Sequence, residues 1–300
     1  MTLPDEIRTV GDAVRYMTSR FYGAGLWFGH GTDNAGDEAN ALVMQSLGLP
    51  FDSAPYVYAA ALTEPERSLL AERMSRRIDQ REPLAYITGR AWFCGLEFEV
   101  DPRVLIPRSP IGELIASRFD AYAALPDGAR VLDMCTGGGC LAIACAVWHP
   151  DLEVDAVDVS SDALAVARAN VARHTVEDRV RLIESDGYNA LDDQRRYDLI
   201  IANPPYVPAK SIALLPAEYR HEPALALAAG ADGLDLVRHL VRDAPRFLTE
   251  NGVLLLEVGE AAAALEAWLA PFEPLWCDFE RGGDGVLALD TAALNTLNIV

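Results

Sequence analysis

The chain has 300 residues, 51% of them hydrophobic and 23% charged, ordinary for a folded protein that buries its core without disulfide or metal staples. Its 25 basic and 45 acidic side chains give a formal charge of −20. That argues against a binder of nucleic-acid backbone, which needs a basic surface, and suits a basic partner drawn in by long-range attraction. A solvated acidic surface with no such partner is the plainer reading of composition alone.

The opening residues, MTLPDEIRTV, lack an apolar signal run, and no stretch nears the ~18 apolar residues of a membrane span. A cytoplasmic protein without membrane attachment is expected. The cysteines are Cys94, Cys135, Cys140, Cys145 and Cys277, with no C-x-x-C pair. An odd count in a reducing compartment predicts free thiols. Cys135, Cys140, Cys145 and His149 are spaced suggestively, but a glycine turn separates Cys135 from the rest, and no metal is expected.

In chain order, residues 7–21, 37–47 and 64–81 carry apolar side chains at helical spacing, with turn-formers between them. Thr63 followed by Glu66 predicts a capping box. Residues 91–106 are rich in strand-formers broken by Gly95 and Asp101-Pro102, and predict a hairpin linker. The expected domains are thus a helical 1–88, a linker 89–109 and an α/β domain 110–300. In the last, strands at 130–134, 154–157, 180–184, 197–202 and 253–258 alternate with helices at 141–147, 161–173 and 234–247. This alternation predicts a parallel sheet with helices on both faces. Segments 272–279 and 286–290 are joined by too short a loop for a crossover and predict an antiparallel hairpin.

The first strand of the α/β domain runs into Asp133-Met134-Cys135-Thr136-Gly137-Gly138-Gly139-Cys140. Glycines there permit a tight turn and close approach of backbone to a ligand. The second strand ends at Asp158, where an acid can accept from both hydroxyls of a ribose. The third ends at Ser185-Asp186-Gly187, where an acid can accept from an adenine amino group. A helix N-cap is the alternative role for either carboxylate. The turn lacks the G-x-G-x-x-G spacing of a dinucleotide site, and Asp133 would repel a pyrophosphate. Asp133 suits instead the cationic methionine end of S-adenosylmethionine, directly or through water.

After the fourth strand comes Asn203-Pro204-Pro205-Tyr206. An amide nitrogen is a poor nucleophile, so methylating one requires holding both N–H bonds and aiming the nitrogen. Asn203 offers a side-chain acceptor. Pro204 offers a backbone carbonyl in a restricted geometry, because Pro205 follows it. Tyr206 offers a flat wall.

The turn, Asp158, Asp186 and Asn203-Pro204-Pro205-Tyr206 together resemble class I methyltransferases acting on planar –NH2 groups. The segments Arg81-Glu82-Pro83-Leu84-Ala85-Tyr86-Ile87-Thr88-Gly89, Phe93-x-Gly95-Leu96-x-Phe98-x-Val100 and Leu105-Ile106-Pro107-Arg108 narrow the resemblance to the bacterial protein-(glutamine-N5) methyltransferases. Within that family, Arg108-Ser109-Pro110-Ile111, Gly29-His30-Gly31-Thr32-Asp33-Asn34 and Asp37-Glu38-Ala39 resemble the enzymes acting on large-subunit ribosomal protein three rather than on release factors.

The resemblance implies a Rossmann-like domain with a seven-stranded, mostly parallel sheet and an antiparallel C-terminal hairpin, preceded by a small helical domain. It implies methyl transfer from S-adenosylmethionine to a glutamine side-chain nitrogen in that basic ribosomal protein, with no direct nucleic-acid binding. Asn203, Pro204 and Tyr206 are the expected catalytic residues, with Pro205 completing the substrate contact. Asp133, Cys135, Thr136, Gly137, Gly138, Gly139, Asp158, Asp186, Gly187 and Asn203 are the expected cofactor positions. Gly187 stands where an aromatic is common, so adenine stacking falls to Tyr188 or elsewhere. Cys135 is expected in an ordinary backbone region, His30 as a brace of its loop, and the helical domain as an acidic substrate selector. A release-factor glutamine methyltransferase, an adenine-N6 DNA methyltransferase and a non-catalytic cofactor-binding module are the alternatives.

Overall fold

The computed structural model describes residues 2–280 and 282–297. The chain divides into two compact units, Met1–Ala91 with Val100–Pro102 and Pro216–His221, and Trp92–Glu99 with Arg103–Leu215 and Glu222–Val300.

The first unit is helical: α1 (Val10–Ala24), α2 (Ala35–Ser46), α3 (Glu64–Asp79) and α4 (Leu84–Thr88). Its core is built on Met17, Phe21, Leu42, Met44, Leu70 and Met74. Thr9 starts α1 with a full capping box: its hydroxyl accepts from the Asp12 N–H, and Asp12 accepts from the Thr9 N–H. Ahead of α3, Glu66 accepts from both the N–H and the hydroxyl of Thr63, the reciprocal half of the expected box. Buried Arg77 donates to Glu38 at 2.6 Å and to Glu218 at 3.1 Å, and Thr32 donates to the other Glu38 oxygen. Glu218 lies far along the chain, yet Pro216–His221 belongs to this helical unit. His30 is buried, with its ring 4.7 Å from that of Tyr219.

Strands β1 (Arg90–Phe93) and β2 (Leu96–Glu99) form a two-stranded sheet. Cys94 and Gly95 turn between them with φ of 51° and 77°, the paired positive values of a tight hairpin.

The second unit carries the main sheet: β3 (Arg130–Met134), β4 (Glu153–Asp158), β5 (Val180–Glu184), β6 (Tyr197–Ala202), β7 (Leu248–Glu257), β8 (Leu275–Trp276) and β9 (Val286–Asp290). Its helices are α5 (Ile111–Ala116), α6 (Cys140–Trp148), α7 (Ser161–Arg173), α8 (Ala209–Ile212), α9 (Asp235–Asp243), α10 (Ala262–Leu269) and α11 (Thr291–Thr296). Strand order is β5-β4-β3-β6-β7-β9-β8. The first five strands are parallel, and β9 runs antiparallel to both neighbours. Successive strands spread from β3 in opposite directions, so β3 and β6 flank a switch point, where such sheets bind ligands at their carboxyl ends.

The local reasons are visible in sequence. Strand β3 is apolar because both its faces are covered, and Val131, Leu132 and Met134 are buried. Helix α7 buries Ala163, Leu164, Val166, Ala167, Asn170 and Val171, the spacing of one helical stripe. Two expectations change. The helix expected at 234–247 stops at Asp243 and ends in a tighter turn, Ala244–Arg246, around Pro245. The strand expected at 272–279 pairs only at Leu275 and Trp276. Among the described residues, no helix is long and apolar enough to cross a membrane.

Candidate active site

The carboxyl ends of β3, β4, β5 and β6 surround one cavity of about 1090 Å³, solvent mouth included. Cys135, Thr136, Gly137 and Gly138 line it from β3, Asp158 from β4, Asp186 and Gly187 from β5, and Asn203 and Pro205 from β6. The strand-end positions expected from sequence therefore converge, as the switch point requires.

The glycine turn is built by backbone conformation. Gly137 and Gly139 take φ of 54° and 83°, and Cys135 takes 60°. The expectation of an ordinary φ for Cys135 is thus corrected: a non-glycine residue sits in the left-handed region, at a local cost. Space fixes Gly139 more firmly than Gly137. A Cβ at Gly139 would stand 3.1 Å from Ile143 and 3.3 Å from Ala167, whereas one at Gly137 would meet nothing. Gly139 faces no ligand space and is not part of the cavity wall; it lets α6 start close to α7. A residue outside the expected set steadies the turn: the amide of buried Asn170 donates to the Gly138 carbonyl at 2.9 Å.

Asp133 is fully buried and does not line the cavity, so of the two expected routes to a ligand, direct or through water, the cavity wall offers no direct one. One oxygen, Oδ2, accepts from the Thr136 hydroxyl at 2.6 Å and from the Ala142 N–H at 3.1 Å, tying the turn to the start of α6. The other, Oδ1, has no hydrogen-bond partner among the described residues. Burial pushes this carboxyl up to about 7, against the pull of those two donors. The folded state thus binds a proton between the ordinary carboxylate range and about 7 that the unfolded chain has released. Stability from this group is full below that range and is lost as pH rises through about 7. From pH 5 to pH 8, Asp133→Asn should gain about 2–4 kcal/mol relative to the original chain, measured as unfolding free energy without added ligand. Parallel pH curves for the two proteins would contradict this.

Asp158 is not a helix cap. Ser160 fills that role, its hydroxyl accepting from the Ala163 N–H, while Asp158 accepts from the N–H groups of Gly137 at 2.8 Å and Ser160 at 2.9 Å. With four lone-pair sites on its two oxygens, the carboxylate retains capacity for a further donor. Burial raises the Asp158 carboxyl above its usual range, opposed by those backbone donors. Burial likewise holds the Cys135 and Cys140 thiols protonated, which leaves them poor nucleophiles.

Tyr188 is a correction. Its ring stacks on Phe247 at 4.7 Å within the core, and its hydroxyl donates to the Leu240 carbonyl. Among the described residues no aromatic side chain lines the cavity; Met134, Val159 and Leu236 supply apolar surface. Asn203 and Pro205 are half-buried and line the cavity; between and beside them in the chain, Pro204 is buried and Tyr206 half-buried. The hydroxyl of Tyr206 donates to Glu257, a buried acid that sequence reasoning did not single out. Arg108, also missed, lines the cavity and forms a two-pronged pair with Glu222, at 2.6 and 2.8 Å.

Residues 112–216 match the Methyltransferase small domain family. The chain is 47% identical over 290 residues to the ribosomal protein uL3 glutamine methyltransferase of Xanthomonas campestris pv. campestris, covering 97% of this chain and 94% of that one. It is 47% identical over 292 residues to the protein of the same name from Bordetella pertussis, covering 97% and 98%. The chain belongs to the ribosomal protein uL3 glutamine methyltransferase family.

The fold of this methyltransferase extends to much more distant proteins. The hMettl16 catalytic domain, solved in complex with MAT2A 3′UTR hairpin 1, matches with a TM-score of 0.50 at 17% identity, over 76% of this chain and 80% of that one. That likeness concerns the fold alone.

Proposed function

We propose that this methyltransferase transfers the methyl group of S-adenosylmethionine to the side-chain amide nitrogen of a glutamine in large-subunit ribosomal protein uL3. The observation that carries the reading is the meeting of Asn203 with Asp158 and Asp186 around one cavity. The names of the relatives supply the protein substrate.

The residues present suit the donor. Asp158 keeps acceptor capacity for ribose hydroxyls, and Asp186 is exposed at the end of β5. Gly137 and Gly187 place bare backbone at the cavity wall, both in the left-handed region. Acidic rather than basic strand ends suit a neutral nucleoside joined to a cationic group. When bound, S-adenosylmethionine supplies a methyl carbon activated by its positively charged sulfur. Asn203 then accepts one amide N–H through its side chain, and the Pro204 carbonyl accepts the other. Holding both hydrogens aims the nitrogen and limits its motion. Orientation of this kind supplies effective molarities of about 10⁵–10⁸ M. The nitrogen–carbon bond forms as the carbon–sulfur bond breaks, and the nitrogen releases a proton to solvent as it becomes acidic.

The charge distribution revises one expectation. Residues 1–91 carry 12 acidic and 9 basic side chains, whereas residues 92–300 carry 33 and 16. The helical segment is thus only slightly acidic, and most of the excess negative charge lies in residues 92–300. We expect raised salt to weaken binding of basic uL3 by about tenfold or more while changing donor affinity little. Titrations of each at several ionic strengths measure this, and equal salt dependence would remove electrostatic recruitment.

The decisive test incubates the purified chain with S-adenosylmethionine and either purified uL3 or a purified release factor, followed by mass spectrometry of peptides. One glutamine of uL3 should gain the mass of a methylene while the release factor stays unchanged. The reverse result would reassign the substrate.

A further inference from the structure

Strand β7 ends at Glu257, which belongs to no motif singled out above. The β6–β7 register pairs Ala202 with Leu256, so Glu257 comes level with Asn203 on the next strand. Its side chain is buried, and both its oxygens are engaged by hydroxyls. Oε1 accepts from Tyr206 at 3.0 Å and Oε2 from Ser109 at 2.5 Å. Ser109 lies on the cavity wall, and its oxygen accepts from the Ile111 N–H at 3.2 Å.

Tyr206 is held from other sides as well. A Cβ at Gly259 would come within 2.6 Å of its ring, and one at Gly233 within 2.3 Å of its carbonyl oxygen. Backbone therefore packs directly on Tyr206, and only glycine allows it at these two positions.

We infer that Glu257 is a positioning residue for methyl transfer: by binding Tyr206 and Ser109 together, it fixes the end of the tetrapeptide whose Asn203 and Pro204 hold the amide. The inference rests on that reading of the tetrapeptide. An ionised carboxylate only accepts hydrogen bonds, so it dictates the direction of both hydroxyls. Desolvation raises the Glu257 carboxyl above its usual range, while the two hydroxyls and the Arg108 charge favour its ionised form. A buried acid adds little stability compared with an apolar residue of similar size. Its value here lies in geometry. Pro204 and Pro205 stiffen the stretch between Asn203 and Tyr206, so an anchor on Tyr206 is passed back to Asn203 with little slack.

The test compares Glu257→Gln, Tyr206→Phe, the double variant, Ser109→Ala and Ser109→Thr. Calorimetric titration with S-adenosylmethionine counts competent sites, and methyl transfer to uL3 gives kcat per site. We expect Glu257→Gln and Tyr206→Phe each to lower kcat about tenfold with donor affinity unchanged, and the double variant to be no worse than the poorer single one. Ser109→Ala should lower kcat and Ser109→Thr should restore it, because the hydroxyl returns. Undiminished kcat per site in Glu257→Gln, or multiplying effects in the double variant, would overturn the inference. Asn203→Ala run alongside separates the two readings: loss of transfer there, with Glu257→Gln fully active, rejects the anchor and keeps the tetrapeptide.

Discussion

Replacing Asn203 with alanine should lower kcat for methyl transfer by about 10²–10³-fold while donor affinity stays within about threefold. The side chain is half-buried at the end of β6, and the backbone beneath it is pinned by pairing of Ala202 with Met134 and with Leu256. Truncation therefore opens no core and shifts no strand. In the proposed mechanism it removes one acceptor for the substrate amide. The remaining N–H would still find the Pro204 carbonyl, but the nitrogen would swing about that single bond and lose its aim. Single-turnover rates at saturating donor, beside calorimetric donor titration, measure the two quantities separately. Full activity in the variant would assign amide holding to another group, and lost donor binding would make Asn203 a cofactor residue first.

Asp158→Ala should do the opposite. Donor affinity should fall about 100-fold, while kcat at saturating donor stays within a few-fold. The loss has two parts. The ribose loses a charged acceptor, and the N–H groups of Gly137 and Ser160 lose the partner that fixes their directions. Gly137 then has little to keep it in its left-handed conformation facing the cavity. Asp158→Asn, which keeps an acceptor oxygen, should fall between the two proteins. Protection against thermal unfolding by S-adenosylmethionine reports the same series, and an unchanged protection curve in Asp158→Ala would place the ribose elsewhere.

Much of this architecture was legible in the sequence because buried parallel strands are short apolar runs stopped by turn residues. The expected β3, β5, β6 and β9 and helix α7 coincide with the structure at both ends. Strand β7 starts earlier than expected, at Leu248, because Thr249-Glu250-Asn251-Gly252 reads as a turn. In the fold this stretch stays extended, with Leu248 paired to Tyr197 across a shift in register. The meeting of Asp158 and Asp186 at one cavity was legible for a topological reason: parallel strand ends of one sheet lie on one edge. Tyr188 misled because sequence does not say which way a residue after a strand turns, and stacking on Phe247 draws it into the core. Glu257 was invisible because its meaning comes from Tyr206 and Ser109, which are 51 and 148 positions away. No local spacing encodes such a meeting.

The return of Pro216–His221 to the helical unit bears on how the molecule can be dissected. Arg77 is 1% exposed and depends on Glu218 as well as Glu38 for neutralisation. A fragment ending at Ala91 would keep the Arg77–Glu38 pair but lose Glu218, which also lies 3.5 Å from Arg81, so both guanidinium groups would lose a carboxylate contact. The N-terminal piece is therefore not an independent module that a single cut releases. Excising or transplanting it requires carrying along a short loop from the far side of the gene, and a truncation made without that loop would read as a folding defect rather than as lost recognition.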